Sequence, residues 1–267
     1  MTDSLAAGKL LLDRPADCVA RLTLADPDKP NPLGHDVLDA VAELLPWLGE
    51  GIETRCLIIA GSGGHFSAGY DIGSISADSF AADAEALVAH PFAEAMEAIS
   101  GFPYPVIASI EGVCLGGGLE LAVRCDLRLV ADGARLGMPP AKLGLVYGHT
   151  GLERFIDAIG VAATRELFLT GRNLDPEEAL RIGLVNRICE PAELEAVTLE
   201  LAAAIAANAP LSMRGNKRAI ELLRSRPLDP EVETELIELR QACFRSHDLR
   251  EGIAAFAEKR EPEWRGE

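Results

Sequence analysis

The chain has 267 residues, with 25 Lys and Arg against 42 Asp and Glu, a formal net charge of −17. That surplus of acid excludes nucleic acid as the main partner and argues against anionic membrane surfaces, while leaving room for a phosphorylated small molecule held by local N–H groups. Half-apolar and a quarter charged, the composition is that of a soluble globular protein with a substantial core, in one large domain or two small ones.

Residues 18–25 predict a strand, ended by a turn-rich stretch at 26–32, and a helix follows over 34–47 with Val37, Leu38, Val41, Leu44 and Leu45 on one face. CLIIA (56–60) reads as a short buried strand running into a glycine-rich turn, GSGGHFSAGYDI (61–72). A mobile loop is expected at 73–80 and a helix at 81–100, closed by Gly101, Pro103 and Pro105. An apolar run from Val106 to Ile110 then leads to Gly112 and to the triple glycine Gly116, Gly117 and Gly118, which opens a helix carrying Glu120. LRLVA (127–131) reads as a strand, 136–150 as irregular, and 152–159 as an amphipathic helix. Beyond residue 162 the pattern is helical at 162–169, 176–182, 191–208, 210–225, 230–246 and 249–259, interrupted by strand-like LVNRI (184–188). Short strands alternating with helices predict an α/β fold, with a core over 1–190 and a helical C-terminal region over 191–267 used in oligomer packing.

Six cysteines lack Cys-x-x-Cys spacing and read as buried reduced thiols, and five scattered histidines give no metal-ligand pattern, so no metal is expected. Residues 1–20 contain three Asp and no long apolar core, and no apolar run approaches the ~20 residues that span a bilayer; no leader and a cytoplasmic location are expected.

The turns at 61–72 and 112–120 carry the chemistry. Each follows a buried-type strand, and each offers bare backbone N–H groups beside glycine. Together they can aim two donors at one oxygen, the arrangement of an oxyanion hole. Taken singly, each turn also serves tight bends and close packing. Neither turn has the dinucleotide or P-loop glycine pattern. Ser67 near His65 invites a hydrolase reading, but Gly-x-Ser-x-Gly is missing.

Asn31, Pro32 and Leu33, then CLIIAGSGGHFSAGYDI, PVIASIEGVCLGGGLELAVRCD, GLVNRI, NAPLSMRGNKRAI and GIAAFAEKREPEW, cover nearly the whole chain in order. This succession resembles the crotonase (enoyl-CoA hydratase/isomerase) superfamily. The resemblance implies a crotonase-like spiral of ββα units with a helical C-terminal region, assembled as a homotrimer or dimer of trimers. It also implies an acyl-CoA substrate, with no cofactor apart from the coenzyme A that the substrate carries. By motif position the N–H groups of Ala68 and Gly117 are expected to form the oxyanion hole, and Tyr70, Asp71, Ile72 and Pro140 are expected among the substrate-binding residues. Lys259 is similar to a family lysine near the CoA phosphates of an adjacent protomer.

Hydratases of this family use two glutamates. The first matches Glu120; the second aligns with Pro140, which has no proton to exchange. Losing one acid–base group costs about 10²–10⁴-fold. The stretch MPPAKLGLVY is instead similar to the methylmalonyl-CoA decarboxylase branch, with Tyr147 at that branch's tyrosine and Tyr70 where it has histidine. That resemblance implies a lyase that decarboxylates a malonyl-type thioester. Tyr147 is expected to position the substrate carboxylate, Glu120 to be protonated or turned onto water or Tyr147, and His149 and Thr150 to lie near for proton delivery. The alternatives are a hydratase or isomerase of fatty-acid metabolism using Glu120 alone, and a non-catalytic acyl-CoA-binding paralogue.

Overall fold

The computed structural model describes residues 2–26, 28–70, 91–224 and 244–260, and single positions at 230, 231, 234, 237, 238 and 241. Its strands are β1 (Asp3–Leu5), β2 (Leu10–Ala16), β3 (Val19–Leu24), β4 (Cys56–Gly61), β5 (Val106–Ile110), β6 (Val113–Leu115), β7 (Leu127–Ala131), β8 (Arg135–Gly137), β9 (Asn173–Leu174) and β10 (Arg187–Cys189). Its helices are α1 (His35–Leu48), α2 (Ala93–Gly101), α3 (Gly117–Arg124), α4 (His149–Thr170), α5 (Pro176–Arg181), α6 (Leu194–Ala206), α7 (Pro210–Arg224) and α8 (His247–Glu258).

Seven strands form one sheet in the order β1-β2-β3-β4-β5-β7-β10, antiparallel from β1 to β3 and parallel beyond. Side chains alternate across it. Leu57, Ile59, Val106, Ala108 and Val130 face the cluster formed with Leu38, Val41, Leu45, Met96, Ile99 and Leu119. Ile58, Ile107 and Leu129 face the other way, onto Leu194, Ala202 and Ala206 of α6. Burial on both faces is why β5 reads as an almost wholly apolar run, its one polar residue, Ser109, pairing its hydroxyl with that of Thr198.

A second, smaller sheet runs β6-β8-β9, and an isolated parallel bridge adds Ser67 beside Cys114 of β6. The chain thus alternates between two ladders: β4, β5 and β7 go to the large sheet, and Ser67, β6 and β8 go to the small one. This alternation is the crotonase spiral expected from the sequence, with α3 leaving β6 at the point where the ladders meet.

Several elements differ from expectation. The expected strands do not include β1, β2 (the hairpin partner of β3), the three-residue β6 and β8 or the shorter β9. The stretch expected to be irregular at 136–150 begins in β8 and contains a 3₁₀ turn, Pro140–Leu143. The helices expected at 152–159 and 162–169 are halves of α4, broken at Gly160, whose φ of 73° and ψ of 166° leave the helical region. The strand at 184–188 lies slightly later, as β10.

The division expected near residue 190 coincides with the change to helices, but α6 beyond it covers the sheet. α7 is fastened by Lys217, whose Nζ donates to Tyr104 O at 3.0 Å and to Asp126 Oδ2 at 2.7 Å. α8 lies on the Pro140–Leu143 turn, where a Cβ on Gly144 would be 2.9 Å from the Asp248 carbonyl oxygen. Asp71, Ile72, the loop expected at 73–80, the first half of the helix expected at 81–100 and about half of that expected at 230–246 lie outside the described residues.

Candidate active site

Buried Asn31 ties the turn at 61–70 to the chain before it. Its amide donates to Ser62 O at 2.9 Å and His65 O at 2.8 Å, and its Oδ1 accepts from Asp26 N. Ser67 Oγ donates to Asn31 O at 2.7 Å, and His65 Nδ1 accepts from Val113 N at 3.3 Å. Ser67 and His65 are therefore structural and form no nucleophile–base pair with each other.

Gly117 opens α3, where an N–H has no intrahelical acceptor and the helix dipole adds to its pull on an anion. At the other end the buried Arg128 guanidinium caps the helix, donating from Nη1 to Cys125 O at 2.7 Å and from Nε to Leu184 O at 2.6 Å.

The Ala68 assignment needs correction. Its N–H donates to Pro30 O at 2.8 Å and belongs to the turn's own bonding. Gly69, at φ +92°, instead brings the next peptide against α3: a Cβ on Gly69 would lie 2.9 Å from Gly117 N. The Tyr70 ring then lies over Gly117 and packs edge-to-face on Phe92, with centroids 4.7 Å apart. Only glycine tolerates both that backbone and that approach.

Glu120, one turn along α3 from Gly117, is buried. Its Oε1 accepts from Arg124 Nη2 at 2.9 Å and Nε at 3.3 Å, an i,i+4 ion pair with both side chains inaccessible. Its Oε2 accepts from the Tyr147 hydroxyl at 2.6 Å. Of the roles expected for Glu120, the structure selects the one that holds Tyr147. The hydroxyl's single hydrogen is directed to Glu120, so Tyr147 is not placed to donate to a substrate carboxylate as expected. Burial first, then the negative charge of Glu120, pushes the Tyr147 hydroxyl well above its ordinary range, and Arg124 opposes the shift. The Tyr147 ring packs edge-on against Phe168, and Phe168 against Phe155.

Sequence reasoning missed Arg124, although its spacing from Glu120 is that of a helical ion pair. It also missed Gly151, in the first turn of α4: a Cβ there would lie 2.7 Å from Glu120 Oε2 and 2.6 Å from Tyr147 Cε1. Pro140 is buried at the start of the 3₁₀ turn. His149 is half-buried and Thr150 exposed at the start of α4. Lys259 is exposed at the left-handed end of α8, and no bond joins it to the Glu120–Tyr147 pair.

A helix N-terminus beside a second peptide turn, over a buried carboxylate paired with a tyrosine, defines an enzyme site suited to a developing oxyanion. The chain belongs to the enoyl-CoA hydratase/isomerase family, whose model matches residues 15–267. A probable enoyl-CoA hydratase of Bacillus subtilis is 37% identical over 252 residues, 93% of this chain and 96% of that protein. A solved methylmalonyl-CoA decarboxylase in complex with 2-nitronate-propionyl-CoA superposes with a TM-score of 0.88 at 28% identity, covering 97% of this chain and 99% of that one. An enoyl-CoA hydratase/carnithine racemase from Magnetospirillum magneticum is 32% identical, with a TM-score of 0.74 over 97% of this chain and 96% of that one.

Proposed function

We propose that the protein acts on an acyl-CoA thioester and removes CO2 from a malonyl-type one, methylmalonyl- or ethylmalonyl-CoA. One observation carries this reading. Glu120 has both oxygens engaged, by Arg124 and Tyr147, and buried Pro140 stands at the aligned position of the second acid. Decarboxylation needs no general base. The bond between C2 and the carboxylate breaks, its electron pair becomes the thioester enolate, CO2 departs, and C2 later takes a proton from solvent. The Gly117 N–H and the α3 dipole stabilise the enolate oxygen, with the neighbouring turn at Tyr70 rather than Ala68 completing the cradle. The decarboxylase superposition supports the same choice.

Hydration or isomerisation by Glu120 alone is the second reading, favoured by the sequence relative named a probable enoyl-CoA hydratase. The test offers purified protein methylmalonyl-, ethylmalonyl- and crotonyl-CoA and follows thioester products by mass. Loss of CO2 from the first two is expected. Turnover of crotonyl-CoA alone would sink the decarboxylase reading, and binding without turnover of any would leave a non-catalytic paralogue.

A further inference from the structure

Arg124 and Glu120 are both withdrawn from water, their side chains 3% and 4% exposed. Arg124 engages only Oε1 and leaves Oε2 to Tyr147. Two proton arrangements fit an oxygen pair 2.6 Å apart: Tyr147 donating to a carboxylate, or a protonated Glu120 donating to Tyr147. Arg124 decides between them. Among the described residues, a neutral Glu120 would leave the buried guanidinium only the exposed Glu97 of α2, 3.7 Å away. An uncompensated buried charge is the costlier state, so Glu120 stays ionised and the phenolic hydrogen points at it. A tyrosine hydroxyl has one hydrogen, and with that directed inward it offers a ligand only lone pairs.

We infer that Arg124 is a positioning residue: by holding Glu120 as a carboxylate it makes the Tyr147 oxygen an acceptor-only wall that opposes a substrate carboxylate and tolerates neutral CO2. The inference takes its substrate from the decarboxylase reading above. A carboxylate seated against that oxygen gives up water's donors and gains none there. As the C2–carboxylate bond breaks, the electron pair moves to the enolate at Gly117 and the departing group becomes neutral, so the mismatch is relieved in the transition state. Among the described residues, the charged and titratable groups around Glu120 are Arg124 on its own helix, Glu97 from α2 beyond Arg124, Tyr147 from the chain entering α4, and Tyr70 from the neighbouring turn. Burial and the charge of Glu120 keep the proton on Tyr147.

The test measures binding of 2-carboxypropyl-CoA, which has no thioester carbonyl to form an enolate, and of propionyl-CoA, which has no carboxylate. In the full-length Glu120→Gln variant the amide oxygen faces Arg124 and the amide N–H faces Tyr147, turning the hydroxyl outward. Affinity for 2-carboxypropyl-CoA relative to propionyl-CoA should rise about tenfold, the effect of one hydrogen bond to a charged group. Arg124→Gln, which removes the cation that holds Glu120 as a carboxylate, should give a similar rise. Arg124→Lys should keep the wild-type ratio. In turnover, Arg124→Gln should lower kcat and KM together, the mark of a relieved ground-state mismatch. An unchanged ratio in both Gln variants, or equal weakening of both ligands, overturns the inference and makes Arg124 a packing residue. Failure of the decarboxylase reading would appear separately, as wild-type protein that releases no CO2 from methylmalonyl-CoA whatever the binding ratios.

Discussion

Gly151 faces Glu120 so closely that the hydrogen bond between Glu120 and Tyr147 closes in the space where any other residue would carry its Cβ, 2.7 Å from Glu120 Oε2. Gly151→Ala is therefore expected to push the Tyr147 ring off the carboxylate. Overpacking of this kind costs about 1–3 kcal/mol of stability. Decarboxylation should fall by about 10²-fold, as misplacement near 1 Å does elsewhere. Thermal unfolding and methylmalonyl-CoA turnover, measured on the same preparation, check both.

Tyr147→Phe keeps the ring between Glu120 and Phe168 but leaves Oε2 without its donor. A drop in kcat of about 10²-fold is expected, with propionyl-CoA affinity held within about twofold. Equal losses in turnover and affinity would mean that the tyrosine only packs.

Pro140→Glu returns an acid to the aligned position of the family's second glutamate. Because a positioned acid–base group contributes about 10²–10⁴-fold, crotonyl-CoA hydration should rise at least tenfold over the parent. Decarboxylation should not gain. Product masses from the two substrates, run side by side, decide the matter.

Asn31→Ala removes four side-chain hydrogen bonds and puts a Cβ residue without a polar side chain at φ 52°. The expected loss is about 3–5 kcal/mol, read from the urea midpoint. Asn31→Gly should lose about 1 kcal/mol less, the difference being the left-handed backbone itself.

Alkaline pH should destabilise the fold through its buried thiols. Burial pushes Cys56 and Cys125 from 9.0 up to about 12. For a group whose folded value is raised, the stabilisation is complete below the unfolded value and is lost as pH climbs toward the folded one. Urea midpoints under reducing conditions should therefore fall between pH 9 and pH 12, by about 1.4 kcal/mol per pH unit for each thiol. Cys125→Ala should flatten that slope; a slope equal to wild type would place the effect elsewhere.

The large sheet was legible because β4, β5 and β7 are short, mainly apolar runs bounded by turns, with Ser109 and Arg128 as the polar insertions in β5 and β7. β2 was not: Pro15 interrupts its pattern, and only the register shift between Asp13 and Ala16 shows how the strand accommodates it. β6 and β8 are three residues each, too short to show a period of two. At the site, the motif placed Gly117 and Glu120 on one helix, and both lie in the first turn of α3. Which peptide of Ser67–Ala68–Gly69–Tyr70 turns toward Gly117 depends on Gly69 adopting φ +92°, a choice that residue names do not record. Arg124 was visible as a spacing, but its burial, and so its hold on Glu120, comes only from packing under α2.

The small ladder ties the two turns of the site into one part. Ser67 N donates to Val113 O, Leu115 N to Ser67 O and Gly116 N to Gly137 O, so residues leading into both turns are rungs of a common backbone lattice. A change in either turn is thereby transmitted as a shift of register rather than absorbed as a loose loop. Hydrogen exchange at Ser67, Leu115 and Gly116 should rise and fall in concert, the two turns opening or holding together.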